Sequence, residues 1–198
     1  MSEEMIAKNP VLAVKPIKIR KELRMPFSQM EIDILQISCS SVKMRTMLEL
    51  FLSSGARVNE ISCLDVMDLD LEKRVIHIRE GKGNKERIAY ISDVAAYYLR
   101  EYLQGRTERN TPLFFGNPGK RMKANGIEKA MKQLGKRAGV ENVHPHRFRR
   151  TLATTLARRG GMPVQQIQQI LGHANISVTM RYIYTADSDI ESAYNKCI

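Results

Sequence analysis

The sequence predicts a mixed α/β domain that is mainly α and carries one small antiparallel β-sheet. Apolar residues recur at helical spacing over most of the chain from Ser28 onward, and only one pair of segments alternates with period 2. A length of 198 residues allows one well-buried core and at most a small appendage. The elements follow in order. Residues 1–24 are polar and basic, are broken by Pro10 and Pro16, and carry neither period, so they read as a linker. Ser28-Gln29-Met30-Glu31 has capping-box spacing and opens a helix through about Gln36. A longer helix from about Val42 to Leu52 is stopped by Ser53-Ser54-Gly55, which leaves Arg57 just past a helix end, on a short helical turn through Glu60 and Leu64. The two alternating runs are Val75-Ile76-His77-Ile78-Arg79 and Arg87-Ile88-Ala89-Tyr90-Ile91, joined as a hairpin by Gly81-Lys82-Gly83-Asn84. Helical spacing returns from Asp93 to Leu103, Pro112 to Phe115 is short and extended, and Asn125 to Ala138 is helical up to Gly139. The remainder is mostly helix: Pro145 to Arg159, Pro163 to Leu171 with a turn at Gly172-His173, and Ser177 to about Tyr184. Ile190 to Ile198 is a final amphipathic segment with little to bury against.

Charge speaks about partners. The formal net charge is +11 and the pI is about 9.7, which points to a polyanion. Nearly all of the excess lies between Lys120 and Arg159, where twelve basic residues face only Glu128 and Glu141. Phe148, Leu152 and Leu156 interleave with these charges at helical spacing, so the segment is a folded amphipathic element and not a loose tail. Cys39, Cys63 and Cys197 form no short-spacing motif, and no disulfide framework or zinc site follows from them. The apolar runs fall short of the roughly 18 residues a membrane helix needs, and no apolar signal core opens the chain. A soluble protein of a reducing compartment, the cytoplasm, with no membrane partner, is the expectation.

The last third sets out His146, Arg149, His173 and Tyr182, with Arg57 and Lys82 upstream. A phosphodiester gains negative charge on its non-bridging oxygens at the transition state, and guanidinium forks match that geometry. Arg57 and Arg149 are the clamp candidates, with His146 three residues before Arg149 on the same helical face. His173, on its glycine turn, can bond the phosphate or hold a nucleophile. A phenol such as Tyr182 can attack phosphorus and keep the linkage as a phosphotyrosine. The departing 5′ oxygen needs a proton, which Lys82 at the hairpin tip can supply. No dense Asp/Glu cluster argues for two-metal chemistry, so neither a metal nor another cofactor is expected. His77, on a strand, and His144, before Pro145, read as structural.

Taken together these residues resemble the tyrosine recombinase, or phage integrase, family. Ser54-Gly55-Ala56-Arg57-Val58-Asn59-Glu60 looks like its first arginine box and Gly81-Lys82-Gly83-Asn84-Lys85-Glu86-Arg87 like its lysine hairpin. His146-Arg147-Phe148-Arg149 looks like its His-x-x-Arg box, Leu171-Gly172-His173 like its Gly-His box, and Thr179-Met180-Arg181-Tyr182 like its nucleophile segment. The resemblance runs from about Pro26 to the C-terminus and implies an integrase-like catalytic domain over residues 25–198. It makes residues 1–24 the remnant of an interdomain linker, with the family's N-terminal core-binding domain absent.

By that resemblance Arg57, Lys82, His146, Arg149, His173 and the nucleophile Tyr182 are the catalytic positions, with Glu60 behind them. Tyr184 is the competing phenol, and the nine residues separating His173 from Tyr182 favour the latter. Lys85, Arg87, Lys132, Lys136, Arg147 and Arg150 are the candidate DNA contacts. The implied activity is site-specific cleavage and rejoining of double-stranded DNA through a 3′-phosphotyrosine, without metal or ATP, as in the integration of mobile elements. The resemblance also implies a homotetramer on DNA, a monomer without it, and nucleoid-associated activity in a prokaryote. Two rivals use the same residues: a DNA-binding module that kept the fold and lost the chemistry, and a type IB topoisomerase.

Overall fold

The computed structural model describes residues 25–79, 86–106, 112–116, 119–159, 161–173 and 175–180. The proposed linker 1–24, the hairpin turn with Lys82 and Lys85, the phenols Tyr182 and Tyr184, and the segment 190–198 lie outside the described residues.

The chain begins with α1 (Gln29–Ile37), whose capping box is formed as expected: Ser28 Oγ accepts the Glu31 N–H at 3.2 Å while Glu31 accepts the Ser28 N–H at 2.8 Å. Helix α2 (Val42–Ser54) runs two residues beyond the sequence expectation and ends at Gly55, which has φ +57°. A Cβ there would stand 2.7 Å from Leu171 Cδ2 and 2.8 Å from Leu152 Cδ2, so glycine serves both the left-handed turn and the close approach of two later helices. The short α3 (Val58–Cys63) follows, with Arg57 as its N-cap residue.

Among the described residues the sheet has three strands, one more than the sequence pattern predicts. Strands β2 (Val75–Ile78) and β3 (Arg87–Tyr90) pair antiparallel with Ile76 opposite Ala89, and β1 (Leu69–Asp70) adds to the free edge of β2. Two residues are too short to show a period, and β1 exists because β2 offers it an unpaired edge. At the base of the hairpin Arg79 bonds Asp65 and Asp68 at 3.1 and 2.6 Å, and Arg121 reaches Asp65 at 2.5 Å, which ties β2 to the turn after α3.

Helices α4 (Asp93–Gln104), α5 (Ala124–Ala138), α6 (Pro145–Arg158), α7 (Val164–Leu171) and α8 (Ile176–Met180) complete the described elements. The predicted extended stretch from Pro112 to Phe115 supplies single bridges, Pro112 to Asp65 and Phe115 to Arg121. Helix α2 lies at the centre, packed against α4, α5 and α6. Its buried face carries Met47, Leu48, Leu50 and Phe51, and Phe51 stacks on Phe148 of α6 at 5.4 Å between ring centroids. A second, smaller apolar cluster of Ala153, Ile167 and Leu171, edged by Leu152, Leu156 and Met162, fastens α7 to α6. None of the described helices is long and apolar enough to cross a membrane.

Candidate active site

The last carbonyls of a helix have no partner four residues on, and together they form the negative end of its dipole. At the end of α7 three successive carbonyls each receive a guanidinium from a different element. Arg87, the first residue of β3, donates from Nη1 to Ile170 O at 2.9 Å. Arg149 of α6 donates from Nη2 to Leu171 O, and Arg57, at the start of α3, donates from Nη2 to Gly172 O at 2.9 Å. Arg149 also donates from Nη1 to Gly55 O at the end of α2. Arg149 is 3 % exposed, and its guanidinium sits between two helix C-termini. A buried cation placed this way is held by charge-assisted bonds in place of the water it lost.

Glu60 joins two members of this fan. Its side chain is 2 % exposed and accepts Arg57 Nη1 at 2.6 Å and Arg87 Nη2 at 2.7 Å, while the Arg57 backbone N–H donates to it at 2.7 Å. Burial alone would raise this carboxyl. The Arg87 charge, the Arg57 N–H and the guanidinium bonds outweigh burial and hold it below the usual carboxylate range.

His173 follows the Gly172 turn. Arg149 Nε–H can only donate, so His173 Nε2, at 3.1 Å, accepts. The ring proton is then on Nδ1, which donates to Thr179 Oγ1 at 2.8 Å. Burial, and then the charges of Arg149, Arg57 and Arg87, hold the imidazole down at about 4 against an upward pull from Glu60. His173 is therefore neutral at pH 7. The turn is locked from the other side as well, because Gln168 Nε2 donates to His173 O at 2.9 Å. Gly172 has φ +64°, and a Cβ on it would lie 2.7 Å from Arg87 Cδ.

The model for the phage integrase family matches residues 24–189. The chain belongs to the phage integrase family of tyrosine recombinases. Among its relatives the tyrosine recombinase XerD of Oceanobacillus iheyensis is 32% identical over 97% of this chain and 68% of its own length. XerC of Corynebacterium glutamicum is 34% identical over 75% of the chain and 49% of its own length. The crystal structure of XerA recombinase superposes with a TM-score of 0.79 at 32% identity, covering 92% of this chain and 66% of that one. This integrase-family chain thus spans about half to two thirds of the relatives it matches.

Of the residues singled out from the integrase boxes, the fold joins Arg57, Glu60, Arg149 and His173 in one hydrogen-bonded group. His146 is exposed in the first turn of α6, three residues before Arg149, with its ring 6.3 Å from that of His144. His144 itself caps α6 by accepting the Arg147 N–H at 3.3 Å, a structural duty as expected. Lys82, Lys85 and Tyr182 lie outside the described residues.

Two of the residues expected on DNA face elsewhere. Arg87 is committed to Glu60 and Ile170 O, with its side chain 12 % exposed. Arg147 is equally enclosed: it pairs with Glu31 at 2.7 Å, bonds Met25 O and Glu141 O, and lies 3.9 Å over the Phe27 ring. Charge alone does not tell inward from outward. Strand parity does for Arg87, which shares a face of β3 with the fully buried Ala89. Lys132 and Lys136 are exposed on α5, and Arg150 is half-buried on α6. Thr179, fully buried and bonded to His173, joins the site without being among the residues the sequence singles out; its place three residues before Tyr182 is the available signal.

Proposed function

We propose that the chain is the catalytic domain of a site-specific DNA recombinase that cleaves and rejoins double-stranded DNA through a 3′-phosphotyrosine. The observation that carries this reading is the gathering of Arg57, Arg149 and His173 from three separate elements onto one turn, residues 171–173. Two guanidiniums fixed in advance by carbonyls need little rearrangement when a phosphate arrives, which is the condition for strong electrostatic stabilisation.

In the proposed step the Tyr182 oxygen bonds to phosphorus as the bond to the 5′ oxygen breaks. The phenol gives up its proton, Lys82 delivers one to the 5′ oxygen, and the products are a 3′-phosphotyrosine and a 5′-hydroxyl. One phosphoester replaces another, so no ATP is consumed, and a second 5′-hydroxyl reverses the step on a partner strand. His173, held near 4 with its Nε2 lone pair turned to Arg149, is a weak base. That leaves His146, exposed one turn before Arg149, to accept the phenolic proton. Arg57 and Arg149 clamp the non-bridging oxygens, with Glu60 holding Arg57. Lys85, Lys132, Lys136 and Arg150 are the proposed backbone contacts.

Strand exchange joins two duplexes, each cut at two positions, so the active assembly is a homotetramer on DNA formed from monomers. The unit begins near residue 25, with residues 1–24 as its linker.

The reading is tested with duplexes nicked next to the cleavage position and carrying randomised arms. The chain should form a denaturant-resistant adduct that persists in EDTA; Tyr182→Phe should abolish it and Tyr184→Phe should not. Adduct on Tyr184, or none on any duplex, overturns the reading. Supercoil relaxation independent of sequence would favour a topoisomerase.

A further inference from the structure

We infer that Arg87 is a positioning residue that locks the hairpin strand to the Gly172–His173 turn and to Arg57. The inference rests on the activity proposed above and changes the part Arg87 plays in it. Four observations carry it. Arg87 bridges two acceptors that belong to different elements, Ile170 O on α7 at 2.9 Å and Glu60 on α3 at 2.7 Å. Glu60 hands the constraint on, because its other oxygen holds Arg57 Nη1 at 2.6 Å. The Arg87 stem passes so close to Gly172 that any Cβ there would collide with it. The side chain is 12 % exposed, so most of its surface is spent on these protein contacts.

The consequence is geometric. Without Arg87, Glu60 keeps one guanidinium where it now has two, the Ile170 carbonyl loses a charged donor, and the turn carrying His173 loses its tie to β3. Arg57 and His173 then keep fewer constraints on their position relative to Arg149, and misplacement of a catalytic group by about 1 Å can lower a rate about 10²-fold. A residue whose duty is to touch DNA would behave differently. Its loss would weaken binding, and the log-log salt slope would fall by about 0.9 per lost phosphate contact.

The experiment compares the parent chain with Arg87→Met and Arg87→Lys. Adduct formation on nicked duplexes is followed per folded molecule, and duplex affinity is measured across a salt series. Arg87→Met should lower the adduct-forming rate about 10²-fold while leaving the salt slope unchanged. Arg87→Lys keeps the charge but reaches only one of the two acceptors, so it should recover part of the rate. If Arg87→Met melts below the assay temperature, Arg87→Lys decides alone: a reduced rate at constant slope supports the inference, and the parent rate overturns it. A slope lower by about 0.9 in Arg87→Met also overturns it.

If the parent itself forms no Tyr182 adduct, the activity fails, and the position of Arg87 is judged by NMR titration of His173 instead. Arg149, Arg57, Arg87 and Glu60 are the charged groups acting on that ring. Removing Arg87 should raise the His173 pKa, and an unmoved titration overturns the placement.

Discussion

Phe148 and Arg149 are neighbours on α6 and both are nearly sealed from solvent, at 0 % and 3 % exposure, yet they serve two regions held by different forces. Phe148 lies between Phe27 and Phe51, at centroid distances of 4.8 and 5.4 Å, in the large apolar core around α2. Arg149 faces the other way, into the junction of α2 and α7, where it meets Gly55 O, Leu171 O and His173. On that side, among the described residues, the buried apolar cluster is Ala153, Ile167 and Leu171, and guanidinium–carbonyl bonds complete the attachment. The apolar region makes the fold. The polar region aims the chemistry, because hydrogen bonds fix direction where apolar burial does not.

The comparison predicts that the two neighbours fail differently. Phe148→Ala removes a ring from the main core and should lower stability by about 3–5 kcal/mol, read as a fall in the denaturation midpoint. Arg149→Met keeps the stem and removes the charged fork. It should slow adduct formation by about 10²–10³-fold with a smaller shift in the midpoint than Phe148→Ala. Equal destabilisation by the two substitutions would break the distinction.

A finer cut is possible at His173. Thr179→Val keeps the shape of a buried side chain but removes the acceptor for the Nδ1 proton. The proton must then stay without a partner or move to Nε2, where it opposes the Arg149 Nε–H. Either outcome costs about 1–3 kcal/mol, and it should appear as a slower reaction that Thr179→Ser largely restores. The same ring gives the pH dependence its sign. The folded value of about 4 is below the usual 6.5, so between these values the unfolded chain binds the proton more readily. His173 therefore makes the fold less stable as pH falls from about 6.5 towards about 4. His173→Asn should flatten stability across that window, and an unchanged slope would show that the ring is not held neutral.

Much of this division was legible in the sequence, for physical reasons that also explain what was not. Local signals act over a few residues and survive translation into coordinates: the Ser28/Glu31 box, and the glycines at 55, 139 and 172 that stop α2, α5 and α7 in left-handed turns. The arginine boxes marked which residues gather. What they could not mark is the carbonyl fan, because a backbone acceptor is the same in every residue and its availability depends on where a helix ends and what packs on it. Arg87 and Arg147 read from sequence as DNA contacts for the same reason. Their charge is written in the sequence, while the Glu60 and Glu31 partners, 27 and 116 residues away, are supplied by the fold.

The smallest expected effects come from lysines belonging to neither region, and they separate binding from both folding and chemistry. Lys132 and Lys136 stand exposed on α5. Lys132→Ala and Lys136→Ala should therefore leave stability within about 0.5 kcal/mol of the parent. If each neutralises a phosphate, each substitution should instead reduce the salt slope of DNA binding by about 0.9, and the double variant by about twice that. The adduct-forming rate at saturating duplex should stay at the parent value, because these charges are not tied to the turn at residues 171–173. A lysine variant that slowed the saturated reaction would mean that the outer basic face helps set the site geometry, and the separation drawn between Phe148 and Arg149 would then need a third participant.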